Sequence, residues 1–326
     1  MNIQQLEYIV AVDNYRHFSK AAEASFVTQP TLSMMIQKLE DELGVRIFDR
    51  SQSPIEPTDV GRKIIDQARV SLAQISQIQE IVEEEKGVIK GVFRLAIIPT
   101  VSPYLLPKLM QTHREQNSDI RLVINEMTTN QILSSLAKGT IDGGILATPL
   151  HDDRMKERPV YYEKFLAYVS PNERFLHSKP SLQEMDLRGA KLWLLDEVHC
   201  FRTQILNLCS LKSTNFVSSA FTYEAGSIET LINIVDNNDG ITVIPEMALD
   251  HLTEKQKLNV RFFEKASPVR EISLITRKDF LRERIIEIIE NEIRMSVPAS
   301  LQDEKLQKEL KALNSEWETL YLDLES

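Results

Sequence analysis

Cysteine is nearly missing from this chain: its 326 residues hold two, Cys200 and Cys209, both in the stretch DEVHCFRTQILNLCS at 196–210. Long apolar runs are missing too. The longest are short and interrupted, which excludes a segment able to span a bilayer. The opening MNIQQLEYIVAVDNYRHFSK lacks the basic start, the continuous apolar stretch and the cleavage site of a secretory leader. A cytoplasmic location without a membrane partner is therefore expected. Thiols are kept reduced in that compartment, so a stable structural disulfide is not expected, and the two cysteines read either as small buried hydrophobes or as redox chemistry. There is no excess of positive charge: 38 Lys+Arg against 48 Asp+Glu give a formal net charge of -10. That argues against diffuse attraction to nucleic acid, so any DNA binding has to be local and geometric.

What is present is densest in the first 60 residues. In FSKAAEASFVTQPTLSMMIQKLEDELG, Ser19 to Ala24 predicts a short helix, and a second begins near Pro30, where the missing N–H costs nothing. Leu32, Ile36, Leu39 and Leu43 recur at helical spacing and form a core-facing stripe that Gly44 closes. The opposite face presents Thr31, Met34, Gln37 and Lys38, with Thr28, Gln29, Pro30 and Ser33 at the helix start. These are hydrogen-bonding and methyl-bearing groups suited to base edges and phosphates in a major groove. VRIFDRSQSPIEPT then predicts a small β-hairpin wing carrying Arg46 and Arg50. Helix, turn, helix and basic wing is a DNA-docking order, although residues 1–63 carry seven Lys/Arg against nine Asp/Glu.

From Thr58, a candidate N-cap, an amphipathic pattern runs to about Lys86 with Ile65, Ala68, Leu72, Ile75 and Val82 on one seam. Such a helix would span about 45 Å. With no small domain of its own to lie on, its seam is expected to pack on the same helix of a second chain, giving a symmetric dimer and two DNA half-sites. EEEKGVIKG ends it, and a domain boundary is expected at 87–91. Beyond it, short apolar runs (VFRLAII, IRLVI, GGILA, FLAYV, KLWLL, GITVIP, ISLIT) alternate with helical segments, which predicts an α/β domain with largely parallel sheets. The expected organisation is a DNA-binding domain at 1–60, a linker helix and hinge at 58–90, an α/β regulatory domain at 91–297 and an added C-terminal amphipathic helix at 298–326. In that last segment Leu306, Leu310, Leu313, Trp317, Leu320 and Leu324 are spaced to cover an apolar surface.

The stretch SKAAEASFVTQPTLSMMIQKLEDELGVRIFDR resembles the winged helix-turn-helix of the LysR-type transcriptional regulators, and the linker helix and α/β domain match that family over roughly residues 1–297. The resemblance implies a two-lobed effector domain similar to periplasmic binding proteins. IPTVSPYLLP at 98–107, LLDEVHCFRTQILNLC at 194–209 and SIETL at 227–231 are most similar to the peroxide-sensing activators of the family. This implies Cys200 as the peroxide-reactive thiol and Cys209 as its resolving partner. It also implies Thr100 and Thr129 as hydroxyls lining the peroxide pocket, with His199, Arg202 and Arg270 around it. Asn125 and Asn130 stand where some relatives have histidines. The partners it implies are promoter double-stranded DNA, hydrogen peroxide as signal, RNA polymerase, a thiol reductant that resets the switch, and further copies of the chain in a homodimer or homotetramer.

Geometry gives the cysteine pair a physical meaning. If 200–209 is one continuous helix, the two Cα atoms lie about 13.5 Å apart along its axis, whereas a disulfide needs roughly 4.4 to 6.8 Å. The bond and the helix exclude one another, which is what a switch requires. Arg202 or His199 nearby would favour the reactive thiolate. Two cysteines and one histidine make a poor zinc set, so neither a metal nor a cofactor is expected, and the chain is not expected to be an enzyme. Two rivals remain: a regulator that senses a small organic metabolite in the effector-domain cleft, and a thiol peroxidase, which would have no use for the reading head.

Overall fold

The computed structural model describes residues 1–51, 54–85, 89–116, 119–150, 152–188, 190–196, 200–208, 225–264, 268–303 and 306. Contacts group the chain into two compact units, Met1–Gly91 with Ser134–Asp142, and Val92–Leu133 with Gly143–Ser326.

In the first unit α1 (Ile3–Tyr15), α2 (Phe18–Ala24) and α3 (Gln29–Leu43) precede a two-stranded antiparallel hairpin, β1 (Phe48–Asp49) with β2 (Glu56–Pro57), and the long α4 (Asp59–Glu85). The helix ends follow from the sequence. Asn2 and Gln5 form a capping box on α1, Thr28 caps α3 through Thr31 N–H, and Gly44 ends it at φ 69°, a conformation glycine adopts without penalty. Thr58 caps α4 through Gly61 N–H at 2.9 Å, as its position after the wing predicts. Gly61 is required there, since a Cβ would lie 2.0 Å from the Ile47 carbonyl oxygen. The core gathers Ile9 and Val12 of α1, Leu32, Ile36 and Leu39 of α3, Ile47 and Phe48 of the wing, and Ile65 and Ala68 of α4. Leu43 of the expected stripe is exposed, because α3 has run past this core.

The reading of α4 needs a correction. Its first turns lie on the unit's own core, where Ile65 and Ala68 are buried. Arg69 pairs with Asp13 at 2.7 Å. The later Ile75, Ile78 and Val82 are exposed. The seam therefore divides along its length, because α1 offers apolar surface only to the first part.

The second unit is an α/β domain with a curled, mixed sheet in two lobes. From Gly91 on, the elements are β3 (Gly91–Ile97), α5 (Ser102–Glu115), β4 (Ile120–Glu126), α6 (Thr129–Ala137, of which Ser134–Ala137 group with the first unit), β5 (Gly143–Thr148), β6 (Met155–Val169), α7 (Arg174–His177), β7 (Ser181–Leu182), α8 (Glu184–Arg188), α9 (Cys200–Leu208), α10 (Ile228–Asn237), β8 (Ile241–Pro245), α11 (Glu254–Lys257), β9 (Val260–Phe263), β10 (Val269–Arg277) and α12 (Glu283–Met295). The strand order is β4-β3-β5-β10-β6-β9-β7, with β8 also on β6.

The expectation of largely parallel sheets is not met. β3/β5 and β7/β9 are parallel, but β10 runs antiparallel to both β5 and β6, and β6 runs antiparallel to β8 and β9. The physical reason is β6 itself. One 15-residue strand pairs with β10 along Met155–Lys164 and then with β8 from Phe165, so the chain passes between lobes without a helical crossover. KLWLL is not a strand either: Leu192 and Leu195 make isolated bridges to Ile241 and Ala225.

Candidate functional site

The first candidate surface is α3 with the wing. Thr28, Gln29, Pro30, Thr31, Gln37 and Lys38 are exposed, Met34 is 63 % exposed, and Ser33 is half-buried. Thr28 and Thr31 share a 2.8 Å bond between their hydroxyls. Arg50 lies outside this row and is already engaged, bonding to Glu40 at 3.1 Å and Ser33 Oγ at 3.4 Å while its guanidinium sits over Phe18 at 5.1 Å.

Glu40 organises this end of the module, and the sequence reading passed over it. Its carboxylate is buried. Oε1 accepts from Ile47 N–H at 2.7 Å and Phe48 N–H at 3.2 Å, and Oε2 pairs with Arg46 at 3.3 Å and Arg50 at 3.1 Å. One carboxylate thus sets the angle of the wing against α3 and holds both wing arginines. A signal was available: Glu40 stands four residues after Ile36, a charge on the apolar stripe, followed by two arginines.

The second candidate surface lies where β6 changes partner. Arg270 on β10 and Glu163 on β6 are cross-strand neighbours, both buried. Arg270 Nε donates to Glu163 Oε1 at 2.9 Å, and its two remaining nitrogens reach the Thr100 hydroxyl and carbonyl, each at 3.1 Å. Met247 N–H donates to Glu163 Oε2 at 3.3 Å. Burial pushes the Glu163 carboxyl up, and the Arg270 guanidinium pulls it back down by less.

Cys200 is the first described residue of α9, and the next side chain, Phe201, is fully buried with its ring 4.9 Å from the Arg270 guanidinium and 5.2 Å from the Phe165 ring. Arg202 Nη1 donates to the Leu195 carbonyl at 3.0 Å. Gln204 Oε1 is buried and has no hydrogen-bond partner among the described residues. The structure therefore joins Thr100 and Arg270 of the expected pocket directly. Thr129 is half-buried at the start of α6. His199 and Cys209 lie outside the described residues, as do Leu310, Leu313, Trp317, Leu320 and Leu324. Leu306 is described and buried against Tyr162 and Val269. Glu163 and Gln204 were not foreseen, and Phe201 was expected only as apolar material between the cysteines, since the contacts that matter come from distant parts of the chain.

Comparison with known proteins places both units. Residues 3–62 match the model of the bacterial regulatory helix-turn-helix protein, lysR family, and residues 86–298 match the LysR substrate binding domain. The chain belongs to the LysR family. A hydrogen peroxide-inducible genes activator of Haemophilus influenzae is 35 % identical over 300 residues, covering 90 % of this chain and 98 % of its own length. The DNA-binding transcriptional dual regulator OxyR of Escherichia coli K12 is 33 % identical over 279 residues, covering 85 % and 90 %. A full-length OxyR variant of Pseudomonas aeruginosa superposes with a TM-score of 0.72 at 34 % identity, over 90 % of this chain and 98 % of that one. As a LysR-family member closely related to OxyR, the chain is a DNA-binding transcription regulator with a winged reading head and an α/β effector domain. Among the described residues, no helix is long and apolar enough to cross a membrane.

Proposed function

We propose that this regulator senses hydrogen peroxide through a reversible Cys200–Cys209 disulfide and controls oxidative-stress genes by changing how its copies sit on promoter DNA. The observation that carries the reading is that Phe201, the residue after Cys200, docks on the buried Arg270 guanidinium that also holds Thr100. The names of the relatives, hydrogen peroxide-inducible genes activators, supply the signal. A cationic Arg202 or His199 near the thiol favours the thiolate.

In the proposed chemistry the Cys200 thiolate attacks peroxide: an S–O bond forms, the O–O bond breaks, and the leaving oxygen departs as water after taking a proton. The Cys209 thiolate then attacks the sulfenic sulfur, the S–S bond forms as the S–O bond breaks, and the hydroxide takes a proton and leaves as a second water, so two electrons pass from the cysteine pair to peroxide. Thr100, Thr129, His199, Arg202 and Arg270 surround the reacting thiol in this reading, and the Gln204 carbonyl accepts a peroxide O–H. Residues 200–208 form one helix, so closing the bond to Cys209 unwinds at least part of it. A thiol reductant reverses the bond. DNA contacts come from Thr28, Gln29, Pro30, Thr31, Ser33, Met34, Gln37, Lys38 and Arg50 in a homodimer or homotetramer that engages RNA polymerase.

The test is thiol-trapping mass spectrometry after a near-stoichiometric peroxide pulse, with a parallel promoter footprint. The wild type is expected to form the Cys200–Cys209 bond as its footprint shifts. Cys200→Ser is expected to bind DNA and show no shift. A Cys200→Ser footprint that still responds to peroxide would overturn the proposal.

A further inference from the structure

The turn between α2 and α3 carries a residue its backbone does not favour. Phe26 N–H bonds to the Glu23 carbonyl at 3.1 Å and Val27 N–H to the Ala22 carbonyl at 3.0 Å. This is the bond pair of a Schellman helix end, in which the residue leaving the helix is left-handed and most often glycine. Phe26 occupies that position with φ 56°, a conformation strongly disfavoured for a bulky side chain. Its ring is also 96 % exposed. Val27, the next residue, packs on the core, so the turn has its apolar anchor without the phenylalanine. Glycine at position 26 would remove both penalties.

Strain and exposure coincide two residues before Thr28, at the entry to the row of exposed α3 side chains. That module has a particular need. With seven Lys/Arg against nine Asp/Glu in residues 1–63, the module has no net charge attraction for phosphate to add to its placed contacts, so uncharged contacts carry more weight. Met34, 63 % exposed, is a second apolar group in the same row. We infer that Phe26 is a DNA contact whose ring covers apolar C–H surface of the duplex, a deoxyribose face or a thymine methyl, beside the start of α3. The inference rests on the DNA-docking reading of α3 and adds a non-ionic contact to it.

The test uses full-length protein and a duplex selected from random sequence by the wild-type chain. Phe26→Gly is expected to raise the melting temperature while weakening binding to that duplex by about tenfold, with the salt dependence of binding unchanged because no phosphate charge is lost. Phe26→Leu, which keeps apolar mass, should retain most of the affinity. Replacing thymines of the duplex by uracil separates the two contacts: a loss seen with wild type and not with Phe26→Gly identifies a methyl, and no loss identifies the sugar. Wild-type affinity in Phe26→Gly, with Thr31→Ala and Gln37→Ala weakened, would overturn the inference and leave the docking reading standing. Wild-type affinity in all three would overturn both.

Discussion

Replacing Glu40 by alanine is expected to destabilise the N-terminal unit by about 2–6 kcal/mol, the range for leaving two buried backbone N–H groups without an acceptor. The carboxylate is 1 % exposed and satisfies two buried backbone N–H groups, of Ile47 and Phe48, besides pairing with Arg46 and Arg50. Alanine leaves those N–H groups unpaired, at about 1–3 kcal/mol for each such donor, and frees the wing from α3. Operator binding should be lost with the wing's orientation, even where the unit stays folded. Glu40→Gln keeps a carbonyl for the two N–H groups and loses only the ion pairs with two partly exposed arginines, so it should cost about 1–2 kcal/mol. Urea unfolding and gel-shift titration of the full chain measure both effects. A Glu40→Ala protein of wild-type stability and affinity would show that the carboxylate does not set the wing.

The second large effect is expected at the centre of the effector domain. Glu163→Ala strands the Arg270 guanidinium, whose side chain is 1 % exposed, at a cost of about 3–5 kcal/mol. Arg270 also carries Phe201 on its face and Thr100 on its edge, so the loss should spread to α9 and appear as faster hydrogen exchange at residues 201–206. A Glu163→Ala, Arg270→Met double variant should recover most of the stability, because a buried ion pair exchanged for apolar groups is often close to neutral. If the double variant is as unstable as the single one, Arg270 contributes through its bonds to Thr100 and not through relief of the buried charge.

The helix ends and the wing were legible because each is a local matter. A cap such as Thr28, a proline at the first turn, a terminating glycine such as Gly44 and a four-three apolar spacing act within one or two turns. The seam of α4 was legible as a seam, yet not which part of it α1 would cover. Glu40 could have been found as a charge on an apolar stripe. Phe26 could not, because its significance lies in a left-handed turn whose strain is invisible to composition and spacing.

Sequence by itself determined the likeness to the family, through its quoted motifs, and much of the order of helices and strands, through residue type and short-range periodicity. Only the tertiary structure decided that β10 returns antiparallel between β5 and β6, and that Arg270 meets Glu163, 107 residues earlier, at the point where β6 changes partners. A strand's alternation says which faces are buried and nothing about the direction or identity of its neighbour. That choice is made by the path of the whole chain, and the chemistry of the effector domain rests on it.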